Sequence, residues 1–346
     1  MNKKLLVLYS AVIFFIACNR NKNIEVTTYA GSGAIGANNG KAGDASFSNL
    51  MGLAIDPAGN IYVADSRNNL IRKISADGMV TTLAGDGNQG SADGKGNAAS
   101  FFFPAALAVD THGIVYVADT HNSMIRKITP DGNVTTLAGR PDTGTIKHPE
   151  ALSRFDNPYG IAVDKAGNVF VSDWDKDQIK KVSPDGKVSV FAGTGDRGLK
   201  DGPADSASFY LPEGIALDQQ GNLYVADTYN NRIRKITPDG MVSTLAGKTK
   251  KGSANGKGAA ASFSHPDGIA VDRSGNVYVA DVGNNKIRKI TPDGTVSDYA
   301  GTGKRGSDNG PLNTASFYRP FGLTIDGGGN LYVADYQNNL VRRIGK

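Results

Sequence analysis

The sequence predicts an all-β protein: a six-bladed β-propeller of four-stranded blades whose ring is closed by its own N-terminal strand. Three observations predict it. Six copies of one segment follow each other without insertion. Each copy reads as four short strands separated by turns. The last copy lacks its fourth strand, and the missing strand stands at the start of the chain.

The repeat is fixed at 54 residues. Asp65, Asp119, Asp173, Asp227, Asp281 and Asp335 each close a segment of the Tyr-Val-Ala-Asp type at that interval. Phe47, Phe101, Phe155, Phe209, Phe263 and Phe317 keep it too, as do Gly59, Gly113, Gly167, Gly221, Gly275 and Gly329. Within residues 268–301, strands are predicted over 268–272, 276–281, 286–290 and 295–300. The connectors Arg273-Ser274-Gly275 and Pro292-Asp293-Gly294 have turn chemistry. The first two strands are apolar on both faces, as strands sandwiched between neighbouring sheets must be. The first also uses Gly and Ala, which suits crowding around a central axis. The third strand carries a basic pair, and its charges are expected to reach water while the stems cover apolar surface.

The last copy stops at Arg342-Arg343-Ile344-Gly345-Lys346. Val26-Thr27-Thr28-Tyr29-Ala30-Gly31, 54 residues before Val80-Thr81-Thr82-Leu83-Ala84-Gly85, supplies the absent strand. Closing the ring removes two exposed sheet edges.

Residues 1–17 read as an export signal: Lys3 and Lys4, then an apolar run from Leu5 to Ala17 too short for a comfortable membrane span. Phe15-Ile16-Ala17-Cys18 resembles a bacterial lipobox, with Phe15 where Leu is usual. Against a plain secretory signal, the position of the chain's only cysteine favours a lipoprotein acylated on Cys18. Residues 18–25 form a polar tether and 26–346 the propeller. The expected location is therefore the cell envelope, on a membrane through the lipid. The net charge of +5 falls to +3 without Lys3 and Lys4, too mild to argue for nucleic acid.

The run Gly-Ile-Ala-Val-Asp, Gly-Asn-Val-Tyr-Val-Ala-Asp, Asn-Asn-Lys-Ile-Arg-Lys-Ile at 268–290 resembles the NHL repeat, and the resemblance covers about residues 26–346. It implies the propeller fold. It does not choose a function, because the family includes RNA- and protein-binding modules, extracytoplasmic sensor domains and relatives of amidating lyases.

Residues that recur in all six blades read as scaffold. The Asp ring is expected to cap its own loops through backbone N–H groups. The Gly-rich connectors, such as 193–198, are not followed by a helix and so do not read as phosphate loops. Asp93-Gly94 and Asp201-Gly202 lack the alternating carboxylates of a calcium loop.

Function is sought where the repeat breaks. The connector at 140–150, which includes His148, departs from the glycine-rich pattern of the others. In the same blade the Asp-x-x-Asn-Asn loop becomes Asp173-Trp174-Asp175-Lys176-Asp177, with the only tryptophan. A lone exposed aromatic among polar groups has the composition of a recognition site. The residues just before the innermost strands are Met51, Ala105, Tyr159, Glu213, Asp267 and Phe321. They are expected at the mouth of the central channel, where Glu213, Asp267 and nearby His265 make a polar sector beside Tyr159.

Two functions follow. The first is an envelope recognition scaffold that binds a protein, peptide or glycan through Trp174, Asp175, Lys176, His148, Tyr159, Glu213, His265 and Asp267. The second is a metal-dependent hydrolase or lyase at the channel mouth, by resemblance to six-bladed lactonases and amidating lyases, with His265, Asp267 and Glu213 as candidate zinc ligands. No residue is assigned as catalytic or as a metal ligand, and no cofactor is expected. RNA binding is disfavoured by the export signal and by the lack of interleaved aromatics.

Overall fold

The computed structural model describes residues 23–140 and 155–346. Cys18, the export signal and His148 lie outside the described residues. Six antiparallel sheets follow one another in the chain. In the fifth blade the strands Pro266–Val271, Val277–Asp281, Lys286–Ile290 and Thr295–Ala300 run from the axis outward. The two-residue strand Gly256–Lys257 pairs with the outer edge, Gly256 opposite Val296. Among the described residues, helical structure is limited to three-residue 3-10 turns.

The ring closes as the displaced strand requires. Glu25–Ala30 pairs with Leu340–Gly345, from Glu25 opposite Gly345 to Ala30 opposite Val341. A side-chain latch accompanies five of the six junctions between blades, all but the one that follows Ser123. The residue after the 3-10 turn that follows each second strand is left-handed, a conformation Asn and Asp tolerate. At those five junctions its side-chain oxygen accepts a backbone N–H from the next blade. Asn69 takes that of Phe103, Asp177 that of Leu211, Asn231 that of His265 and Asn285 that of Arg319. Asn339 takes that of Asn49 at 2.9 Å, so the first and last blades are joined as their neighbours are.

Packing at the axis explains the glycines of the inner strands. A Cβ on Gly160 would stand 2.2 Å from the carbonyl oxygen of Glu213, and one on Gly268 or Gly322 would stand equally close to Phe321 or Met51. Adjacent inner strands therefore approach closer than side chains permit, and hydrophobic clusters fill the wider space between blades farther out.

Two expectations about the repeated charges are corrected. The first member of each basic pair does not reach water: Arg72, Arg126, Arg234, Arg288 and Arg342 are fully buried. Each donates from Nη1 to the Asp seven residues earlier, as Arg72 does to Asp65 at 2.8 Å, and each guanidinium lies over the repeated Phe, Arg72 about 5.3 Å from the Phe47 ring centre. In the third blade Lys180 takes the arginine's place against Asp173 and Phe155. Nor does the Asp cap the backbone of its own loop. Asp65 accepts the N–H of Ser48, 17 residues upstream, and the side-chain amide of Asn68. Burying a charge is tolerated only when its hydrogen bonds are satisfied, and this network ties connector, turn and third strand together in every blade.

Candidate functional site

The six 3-10 turns gather around the same end of the channel, and their first residues differ. Ser66, Thr120 and Thr228 donate a hydroxyl to the carbonyls of Pro104, Pro158 and Pro266 in the next blade, at 2.7, 2.7 and 2.8 Å. Trp174 occupies that position in the third blade and has no hydroxyl to give. Ser172, which replaces the alanine of the other second strands, takes over two residues earlier. Its Oγ donates to the Glu213 carbonyl at 2.6 Å and accepts the N–H of Gly160 at 2.7 Å. The third-blade departures and the acidic position of the fourth blade thus belong to one construction.

Trp174 is half-buried, not freely exposed as its sequence context predicts. Its indole Nε1 is buried and makes no hydrogen bond of good geometry, yet lies near enough to Glu213 to favour that carboxylate's charged form. Its ring stands 6.5 Å from that of Tyr229, centre to centre. Asp175 and Lys176 do not join it. Both are exposed and bond back to their own blade's connector, Asp175 to Asn157 and Lys176 to Asp156 at 3.0 Å. Both side chains are engaged on Asn157 and Asp156, so the cluster expected at 174–176 is not gathered around Trp174.

Glu213 and Asp267 come together at the channel mouth. Burial pushes both carboxyls up, Asp267 to about 7, and the charge of Asp267 pushes Glu213 further. A proton shared between them lets one donate to the other. Asp267 is 4 % exposed and its Oδ2 has no hydrogen-bond partner among the described residues. Tyr159 stands beside the pair, and its phenol is held protonated by burial and then by the charges of Asp267 and Glu213.

A cleft of about 380 Å³ opens above the pair. Tyr159, Glu213, Tyr229, His265, Arg319 and Phe321 line it, together with Arg305 and the fifth-blade turn at Val282, Gly283 and Asn285. Beneath it a narrower space of about 60 Å³ follows the axis, lined by the inner strands, with Asp267 at its wall and Tyr159 and Phe321 shared with the cleft. His265 is engaged by another side chain: its Nε2 accepts from the Lys251 ammonium at 2.9 Å. Burial, then Lys251 and Arg319, holds the imidazole below its usual pKa, so it is neutral at pH 7. The proposed His265, Asp267 and Glu213 ligand set is therefore not assembled. No three His, Cys, Asp or Glu side chains among the described residues gather closely enough to hold a metal ion.

Tyr229, Arg305 and Arg319 were not anticipated. The signal that could have found them is the same 54-residue comparison that found Glu213. The column of Arg319 reads Asn49, Phe103, Asn157, Leu211, His265, Arg319, and that of Tyr229 reads Arg67, His121, Asp175, Tyr229, Gly283, Gln337.

Fold and cleft together define a six-bladed propeller with a ligand-sized depression at one end of its axis. The chain belongs to the propeller family whose model is described as SMP-30/Gluconolactonase/LRE-like region, which matches residues 111–197 and 211–303, more than half of the chain; the NHL repeat model matches residues 47–74. Among curated relatives, NHL repeat-containing protein 2 of Bos taurus is 29% identical over 84% of this chain and 45% of its own length. Protein SUPPRESSOR OF QUENCHING 1, chloroplastic, of Arabidopsis thaliana is 32% identical over 84% of this chain and 30% of its own. The chain thus spans less than half the length of these relatives. Among solved structures, an auxiliary nutrient binding protein from Bacteroides ovatus ATCC 8483 superposes with a TM-score of 0.70 at 18% identity, covering 93% of this chain and 76% of that one. A gluconolactonase from Xanthomonas campestris superposes at 0.60 and 14% identity, covering 93% and 89%. At these identities the likeness is one of fold.

Proposed function

We propose that the chain is a cell-envelope recognition propeller, lipid-anchored through Cys18, that binds a glycan or the end of a peptide in the cleft at the channel mouth. One observation carries the reading. Asp267 Oδ2, on the axial space beneath a cleft of about 380 Å³, and Trp174 Nε1, on the turn whose indole neighbours the cleft residue Tyr229, are both buried without a good hydrogen bond. Leaving such groups unpaired costs about 1–3 kcal/mol each, a cost a ligand or its bridging water can relieve. The volume lies in the usual range for small-ligand sites, about 300–1,000 Å³. A concave site of this size suits a sugar or a chain terminus better than a flat protein face. The nutrient-binding proteins among its structural neighbours support a binding role.

Trp174 is the only tryptophan, so its emission reports on the site directly. Titration with glycan and peptide libraries is expected to shift that emission, and Tyr229→Ala is expected to abolish the shift while leaving the melting temperature within a few degrees of the parent. A ligand that binds the Tyr229→Ala chain as tightly as the parent would place recognition elsewhere.

The carboxyl pair favours a second reading, hydrolysis or elimination at the same cleft, since a carboxyl kept protonated near neutral pH can serve as a general acid. A lactonase and lyases are among the structural neighbours. Turnover of lactone substrates that is lost in Glu213→Gln would support it.

A further inference from the structure

We infer that the cleft selects a saccharide bearing a carboxylate, a uronic acid unit, with the anion held between Arg305 and Arg319. This rests on the binding reading above and names the ligand class. The connectors place a cation at one repeated position on one side of the ring only: the column reads Ile35, Gln89, Thr143, Arg197, Lys251, Arg305. Two of these cations are engaged, Arg197 with Asp177 at 3.4 Å and Lys251 with His265. Arg305 is not, and neither is Arg319 on the adjoining wall. Both are exposed, both line the cleft, and neither guanidinium has a hydrogen-bonding or ion-pairing partner among the described residues. Their guanidinium groups are nevertheless held. Arg305 lies over the Tyr318 ring at 5.2 Å and Arg319 over Phe321 at 5.7 Å. A planar fork held by stacking, with its donors unused, is prepared for a planar bidentate anion such as a carboxylate.

The rest of the cleft fits a sugar better than a peptide end. Tyr229 is 41 % exposed, and its ring offers an apolar platform for the C–H face of a pyranose. Glu213 lines the same space and can exchange hydrogen bonds with ring hydroxyls, while no deep apolar pocket is present among the lining residues to take a peptide side chain. Engagement of the arginines by substrate leaves the Asp267–Glu213 pair at the base to meet hydroxyl groups.

The test is a Trp174 fluorescence titration of the full mature chain with a digalacturonide, its neutral galactose counterpart and an acidic dipeptide. The digalacturonide is expected to bind about tenfold or more tighter than the neutral disaccharide at low salt, the advantage shrinking in 0.5 M salt. Arg305→Gln and Arg319→Gln should each erode that preference while the neutral sugar's affinity stays put. Equal binding of acidic and neutral sugars, with dependence on Tyr229, would overturn the charge assignment but leave the recognition cleft standing. Binding of the dipeptide without the uronide, or no response to the uronide at millimolar concentration, would overturn the ligand class.

Discussion

Ser172 Oγ donates to the backbone carbonyl of Glu213 at 2.6 Å, joining the third blade to the fourth, where in three other blades a Ser or Thr two residues later bonds the carbonyl one residue earlier. Three departures from the repeat, Ser172, Trp174 and Glu213, are consequently one change. The tryptophan displaces the hydroxyl, the serine restores the inter-blade bond, and the glutamate gains a fixed backbone at the channel mouth. Ser172→Ala is expected to cost about 1–2 kcal/mol, because it leaves Gly160 N–H and the Glu213 carbonyl without this partner. Chemical denaturation measures the loss. A shift in Trp174 emission should accompany it, since the turn above loses its anchor.

The carboxyl pair predicts a pH dependence. Burial raises both folded pKa values above those of the unfolded chain. The stabilisation from holding the proton is thus fully present below about pH 4, the ordinary carboxyl range, and is lost as pH rises through about 7. Asp267→Asn has no charge to bury and can donate to Glu213. Relative to the parent, its stability should improve between pH 5 and pH 8.5 by on the order of 2 kcal/mol, read from parallel melts. An unchanged difference across that range would mean the two carboxyls do not share a proton.

Crowding at the axis makes a steric prediction. Gly268→Ala drives a Cβ to 2.2 Å from the Phe321 carbonyl and should destabilise by about 3 kcal/mol. Gly43→Ala meets nothing within 4 Å and should change the melting temperature little. Similar effects for both would contradict the close approach of inner strands.

The seam makes another. Removing residues 24–31 takes away the strand paired with Leu340–Gly345 and should lower the melting temperature by about 10 °C or more. Asn339→Ala removes the latch to Asn49 and the bond to the Gly33 carbonyl, and should cost about as much as Asn285→Ala, which removes the equivalent pair at an internal blade junction.

The architecture was legible because repetition averages out local ambiguity. One Tyr-Val-Ala-Asp segment is a weak strand signal, but six at a fixed interval with a displaced first strand leave only a closed ring. The buried arginines were misread for a reason of range. Pattern reading places a basic residue on a strand face without seeing that Asp65 lies beside Arg72 once the hairpin folds. Their joint recurrence, seven residues apart in five blades with Lys180 in the sixth, was the overlooked clue. At the site, Glu213, Asp267 and Tyr159 stand out in the sequence because their column changes from blade to blade, and His265 because it lies two residues before Asp267. Tyr229 and Arg319 break theirs as well, but lie in turn and connector positions where variation reads as ordinary surface drift. Asp175 and Lys176 bond instead to Asn157 and Asp156: proximity in sequence to Trp174 does not place them among the residues that line the cleft.

The most direct test of the central claim is a crystal structure of the mature chain with a ligand identified by Trp174 fluorescence. The ligand is predicted in the cleft between Tyr229 and Arg319, within hydrogen-bonding distance of Glu213. A ligand seated on the outer blade edges or the opposite end of the channel, with the cleft unaltered, would contradict it.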